Sequence, residues 1–128
     1  MGEILEYQIS YDADGNNLSG SKNYRLHLHS NVQLCKFWSV IVYDKADNLM
    51  IRTDQPWPSI HSNLSRLVVN EDGSTDIIFG PIATLNKESN WIRTLPEKKW
   101  YAMIRCYDPL QPPNDNFWKP GDIVEIDK

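Results

Sequence analysis

The stretch YRLHLHSNVQLCKFWSVIVYD, residues 24–44, holds two strand patterns side by side. Tyr24, Leu26 and Leu28 alternate with Arg25, His27 and His29. Successive side chains of a strand point to opposite faces, so residues 24–29 read as a strand with one apolar and one polar face. Residues 37–43 are apolar on both faces, the pattern of a strand inside a sheet. Moving outward, similar signals recur at residues 4–10, 49–52, 67–69, 75–79, 91–94, 100–107 and 123–126. Turn chemistry separates them, and no stretch of a dozen residues carries apolar positions at helical spacing. Asp14-Gly15 in DADGNN supplies a positive-φ turn position. DKADN returns residues 37–43 into 49–52. Asp72-Gly73 in NEDGS pairs residues 67–69 with 75–79 as an antiparallel hairpin, and LPEKK joins 91–94 to 100–107 as another. All eight prolines fall in expected connections. The chain reads as all-β, an antiparallel β-sandwich of jelly-roll type with about eight or nine short strands.

At 128 residues one domain is expected. Apolar residues at 41% and charged residues at 23% are ordinary for a globular protein and argue against disordered and membrane-spanning classes. Thirteen basic against seventeen acidic residues give a net charge of -4 with no basic run longer than Lys98-Lys99, which argues against nucleic acid as a partner. The N-terminal MGEILEYQIS lacks a basic region followed by a long apolar core, so the expected address is cytoplasmic, without membrane attachment. Cys35 and Cys106 lack a CxxC spacing and read as two buried thiols in a reducing compartment.

His27 and His29 share a strand face, a spacing that metal sites use, with His61, Glu88 or Asp54 as a third ligand. Arg25 in the same row places a cation beside such a metal, so neither a metal nor another cofactor is expected. Ser59, His61 and Ser62 lie together in PSIHSN without the strand-to-helix elbow of a nucleophile. Asp54 with Glu88, or Asp108 with Asp115, could pair for acid–base work, but loop acids usually serve turns. Five tryptophans and six tyrosines are the compositional excess. Trp100 shares a strand face with Ala102, Ile104 and Cys106 and reads as core. Trp57, between two prolines, reads as the exposed ring of a set that includes Trp91, Tyr107, Phe117 and Trp118.

The segments YRLHLHSNVQLCKFWSVIVYD, QPWPS, NEDGSTDIIFGP, KESNWIRTLPEKKWYAMIRCYDPLQPP and FWKPGDI resemble the DUF1214 family, a domain of unknown function that usually follows a DUF1254 domain. The resemblance covers nearly the whole chain, which opens where the family's C-terminal domain opens and so reads as a stand-alone domain. It implies a β-sandwich and no established reaction. His29-Ser30 replaces a proline-type turn, and EKKW replaces the family's GKGW. The family motif points to Gln55, Pro56, Ser59, Gly80, Pro81, Glu88, Asn90, Trp91, Arg105, Tyr107 and Pro109, with Glu88 and Arg105 expected as a buried pair. The function expected is a non-catalytic ligand-binding or assembly module. Its polar-aromatic rim of Gln55, Trp57, Glu88, Asn90, Trp91, Arg105 and Tyr107 would meet a small molecule, a glycan or a protein, with homo-oligomerisation through edge strands as a further use. The alternative is a small hydrolase-like enzyme with Glu88 or Asp54 as general base and Arg105 as electrostatic stabiliser.

Overall fold

The computed structural model describes residues 4–30, 35–64, 66–83, 88–109 and 121–126, with the side chain of Glu88 outside that description. Among the described residues the alternating patterns become eight strands: β1 (Ile4–Ile9), β2 (Asn23–Leu28), β3 (Cys35–Asp44), β4 (Ser59–His61), β5 (Thr75–Gly80), β6 (Trp91–Arg93), β7 (Trp100–Pro109) and β8 (Ile123–Ile126). A 3-10 turn at Glu88–Asn90 precedes β6. One sheet runs β1-β7-β3-β4 and the other β6-β5-β2-β8. The β5–β6 pairing is parallel, and the other pairings among the described residues are antiparallel.

The period of two in the sequence decides which side chains meet between the sheets. Trp38, Val40 and Val42 of β3 and Trp100, Ala102, Ile104 and Cys106 of β7 face Tyr24, Leu26 and Leu28 of β2 and Ile77 and Phe79 of β5 in one buried cluster. Arg25, His27 and His29 fall on the other side of β2, as the alternation requires. Residues 37–43 lie inside β3, which has neighbours on both edges.

Several local pairings differ from expectation. Residues 91–94 and 100–107 do not form a hairpin. Instead β6 runs parallel to β5, with Ile78 opposite Trp91, while β7 belongs to the other sheet. Residues 95–99 therefore cross between sheets. Gly20 receives that crossing: its N–H donates to the Lys98 carbonyl at 2.8 Å, its carbonyl accepts from Thr94 Oγ1 at 2.8 Å, and a Cβ there would overlap the Leu95 carbonyl. NEDGS does turn the chain, with Gly73 at φ 90°, but only the following residues form a strand, β5. Val68 and Val69 are exposed instead of paired. The return after DKADN makes an isolated bridge, Tyr43 to Met50. The pattern missed β4, because PSIHSN reads as a loop, and Pro109 is the last residue of β7 rather than part of a connection.

The two cysteines are also corrected. Cys35 and Cys106 form a disulfide across 71 positions, with Cα atoms 5.4 Å apart. Both lie on neighbouring strands of one sheet, and the separation in sequence concealed that proximity. Asp115, Phe117, Trp118 and the prolines at 112, 113 and 120 lie outside the described residues.

Candidate functional site

The strands β4 and β6 are edges of different sheets and lie against each other at one side of the sandwich. The segment TDQPWP, residues 53–58, arches over that side. It is fastened to β3 at both ends, where the Ile51 N–H donates to the Val42 carbonyl at 3.1 Å and the Val42 N–H to the Pro58 carbonyl at 3.0 Å. Pro56 and Pro58 fix φ on either side of Trp57 and bias Gln55 and Trp57 toward extended backbone. The indole of Trp57 is thus presented by a stiff arch and is 68% exposed. Beneath it lies an open cleft of about 590 Å³, lined by Asp54, Gln55, Pro56, Trp57, Ser59, His61, Leu64, Arg66 and Trp91.

Not all of those polar residues are free to bind. Gln55 Nε2 donates to the Trp91 carbonyl at 3.2 Å and its Oε1 accepts from the Arg93 N–H at 2.7 Å. A residue of a parallel neighbouring strand bonds the carbonyl of one residue and the N–H two positions on. The Gln55 amide reproduces this pattern on the outer edge of β6 and closes it. Asn90 does similar work below: its Oδ1 accepts from the Val68 N–H at 3.0 Å, while Nδ2 donates to the carbonyls of Val68 at 2.8 Å and Asp76 at 3.0 Å. It is a buried structural fastener. The Trp91 indole N–H donates to the Gly80 carbonyl at 3.0 Å. The Arg93 guanidinium stacks 4.8 Å from the Trp91 ring and donates from Nη1 to the Pro81 carbonyl at 2.6 Å. Its Nε lies 2.8 Å from Asp54 Oδ1, close enough for an ion pair but out of line for a hydrogen bond.

The family model for "Protein of unknown function (DUF1214)" matches residues 3–111. The chain belongs to the DUF1214 family. No curated protein matches it. Solved structures share the fold of this DUF1214 chain. The VPA0106 protein from Vibrio parahaemolyticus superposes with a TM-score of 0.80 at 23% identity over 98% of this chain and 31% of its own. An uncharacterized protein from Burkholderia cenocepacia superposes with a TM-score of 0.59 at 16% identity over 98% of this chain and 29% of its own. The chain therefore spans under a third of either protein.

Of the DUF1214 motif positions, Gln55, Pro56, Ser59 and Trp91 meet at the cleft, together with Trp57, whereas Asn90 lies beneath it. Arg105 and Tyr107 lie apart, on the outer face of the β1-β7-β3-β4 sheet. Arg105 Nε donates to Glu6 Oε2 at 2.6 Å, because Glu6 and Arg105 are register partners on β1 and β7; the Glu88 side chain of the expected Glu88–Arg105 pair lies outside the described residues. That bond is the main reason the guanidinium is held even more firmly charged than usual. Tyr107 packs on Phe37 at 5.4 Å, and Phe37 in turn packs on His61 at 5.4 Å, so a row of rings leads from Tyr107 to the cleft wall. Sequence reading missed Leu64, Arg66 and Arg93, which stand in no recognisable spacing.

The PSIHSN group does not assemble as a triad in this DUF1214 fold. Ser62 Oγ accepts from the Trp38 N–H at 3.1 Å, and His61 Nδ1 accepts from the Asn63 N–H at 3.2 Å, where a triad would require Nδ1 to donate to an acid. On the opposite sheet His27 Nδ1 lies 2.6 Å from Asp76 Oδ1, and the His27 and His29 rings meet edge to face at 5.1 Å. Among the described residues no group of three or more His, Cys, Asp or Glu converges as a metal site.

The same contacts set a pH dependence. Burial pushes the Asp76 carboxyl upward, but hydrogen bonds from His27 and Asn70 outweigh it and hold the group below its ordinary value near 3.8. The Ala46 N–H, opposed by burial and aided by Lys98, does the same for Asp44. On acidification the unfolded chain takes up these protons before the folded chain does. The stabilisation is therefore present above the unfolded value and lost as pH falls through the folded one. The urea midpoint is expected to fall as the pH drops below about 5, and to fall less in Asp76→Asn. Equal slopes for the two proteins would remove Asp76 from the explanation.

Proposed function

We propose that this chain is a non-catalytic binding module that takes a small ligand in the cleft between β4 and β6, against the face of Trp57. One observation carries the reading: a large ring, 68% exposed, is stiffened by prolines on both sides and set over a cleft of about 590 Å³. An exposed indole has no packing role that would explain such rigidity, whereas preorganised aromatic platforms lower the ordering cost of binding. The hydrolase alternative gains no comparable support. Arg105 is engaged by Glu6 on the β1 side of the sheet, two strands away from β4, and Asp54 faces Arg93.

Trp57→Ala separates a binding role from a packing role. The variant is expected to keep its melting temperature, with a stability change within about 0.5 kcal/mol, as for exposed positions generally. In a thermal-shift screen of neutral and acidic saccharides, compounds that raise the melting temperature of the wild type should fail to raise that of the variant. A large drop in the variant's own stability, or equal ligand responses in both proteins, would exclude the reading.

A further inference from the structure

The groups that remain free in the cleft have a polarity, and that polarity selects a ligand. His61 stands on β4, packed on Phe37, and its Nδ1 accepts the Asn63 N–H at 3.2 Å. In the neutral ring this places the proton on Nε2, so His61 presents the cleft with a donor. Arg66 is exposed, and its Nε donates to the Ser89 carbonyl at 3.3 Å, which anchors the guanidinium beside the cleft. No carboxylate pairs with Arg66 among the described residues. Asp54, the acid among the described lining residues, is compensated by Arg93 at 2.8 Å. On a chain with a net charge of -4, the cleft thus holds a cation unpaired among the described residues, next to a neutral donor and an exposed indole.

An anion is the partner such an arrangement lacks, because bonds from a guanidinium to a carboxylate are stronger than bonds between neutral groups. The indole face calls for a ring. The Ser59 hydroxyl and the outer oxygen of Asp54, whose side chain is 76% exposed, can bond hydroxyl groups on that ring. An aromatic acid would leave those two unmatched, and a neutral sugar would leave Arg66 without its anion. We infer that the ligand is an acidic sugar, a pyranose whose apolar face stacks on Trp57 and whose carboxylate is held by Arg66 and the His61 Nε2–H. This rests on the binding-module reading above.

The test uses trigalacturonate, its fully methyl-esterified form, which keeps the rings and loses the charge, and benzoate. Each is titrated calorimetrically into the wild type, Arg66→Gln and Trp57→Ala. The wild type is expected to bind trigalacturonate about tenfold more tightly than the ester. Arg66→Gln should abolish that preference while binding the ester as before, with an unchanged melting temperature. Trp57→Ala should bind neither. Equal affinity for acid and ester, or benzoate binding as tightly as trigalacturonate, overturns the inference and leaves the binding module standing. So does a failure of trigalacturonate to bind while another saccharide gives a response that depends on Trp57. Absence of any response that depends on Trp57 overturns both.

Discussion

Trp100→Ala is expected to cost about 3–5 kcal/mol, the range for deleting a fully enclosed aromatic side chain. Trp100 is wholly buried and joins the two sheets. It meets Tyr24 of β2 edge to face at 5.6 Å and Phe79 of β5 at 4.8 Å. Tyr24 is itself fixed, since its hydroxyl accepts the Ser19 N–H at 2.9 Å. The pocket left by the indole cannot close without moving strands of both sheets, so most of the lost contact becomes cavity. The Trp100 indole N–H has no acceptor among the described residues. Trp100→Phe gives up no hydrogen bond and should cost less than half as much. Urea titration of the two variants checks this. A small loss in Trp100→Ala, or a larger loss in Trp100→Phe, would show that the ring cluster does not hold the sheets together.

Removing the disulfide is expected to have an effect of similar size by a different route. The Cys35–Cys106 bond closes a loop across 71 positions. The chain-entropy relation for a loop of that length gives about 4 kcal/mol, which for a chain of this size lowers the melting temperature by roughly 15 °C. The double variant Cys35→Ala, Cys106→Ala should show this loss. The wild type in strong reductant should fall to the level of the double variant, while the double variant itself should not respond to reductant. If reductant leaves the melting temperature of the wild type unchanged even after prolonged incubation, the pair contributes nothing to stability.

Much of the fold is legible in the sequence because facing direction is a local property. The alternation at residues 24–29 gives β2 its buried and polar sides, the two-sided apolar run at 37–43 puts β3 inside its sheet, and β8 follows from residues 123–126. The identity of a strand's neighbour is not local. Residues 95–99 have the composition of a hairpin turn, yet β6 is three residues long and finds its partner in Ile78 to Gly80. Cys35 and Cys106 likewise meet only because β3 and β7 pair along their length. The candidate site divides in the same way. The prolines around Trp57 announce an exposed ring. The amides of Gln55 and Asn90 read as ligand contacts, because nothing nearby in sequence reveals that β6 and Val68 lack a strand neighbour. Arg105, expected to meet Glu88, pairs with Glu6, almost a hundred positions away.

The strand order also sets a timetable for synthesis. β1 emerges well before its neighbour β7, which ends at residue 109, so Ile4 waits for Tyr107. At about 5–20 residues per second, that delay is roughly 5–20 s on the ribosome. β2 waits similarly for β8, about a hundred residues later. Neither sheet can be completed while the nascent chain is short, and the alternating segment ILEYQI spends that interval without its partner. Residues 100–126 therefore determine when residues 4–28 complete their sheets, and a chain interrupted before β7 would leave β1 available to other unfolded polypeptides.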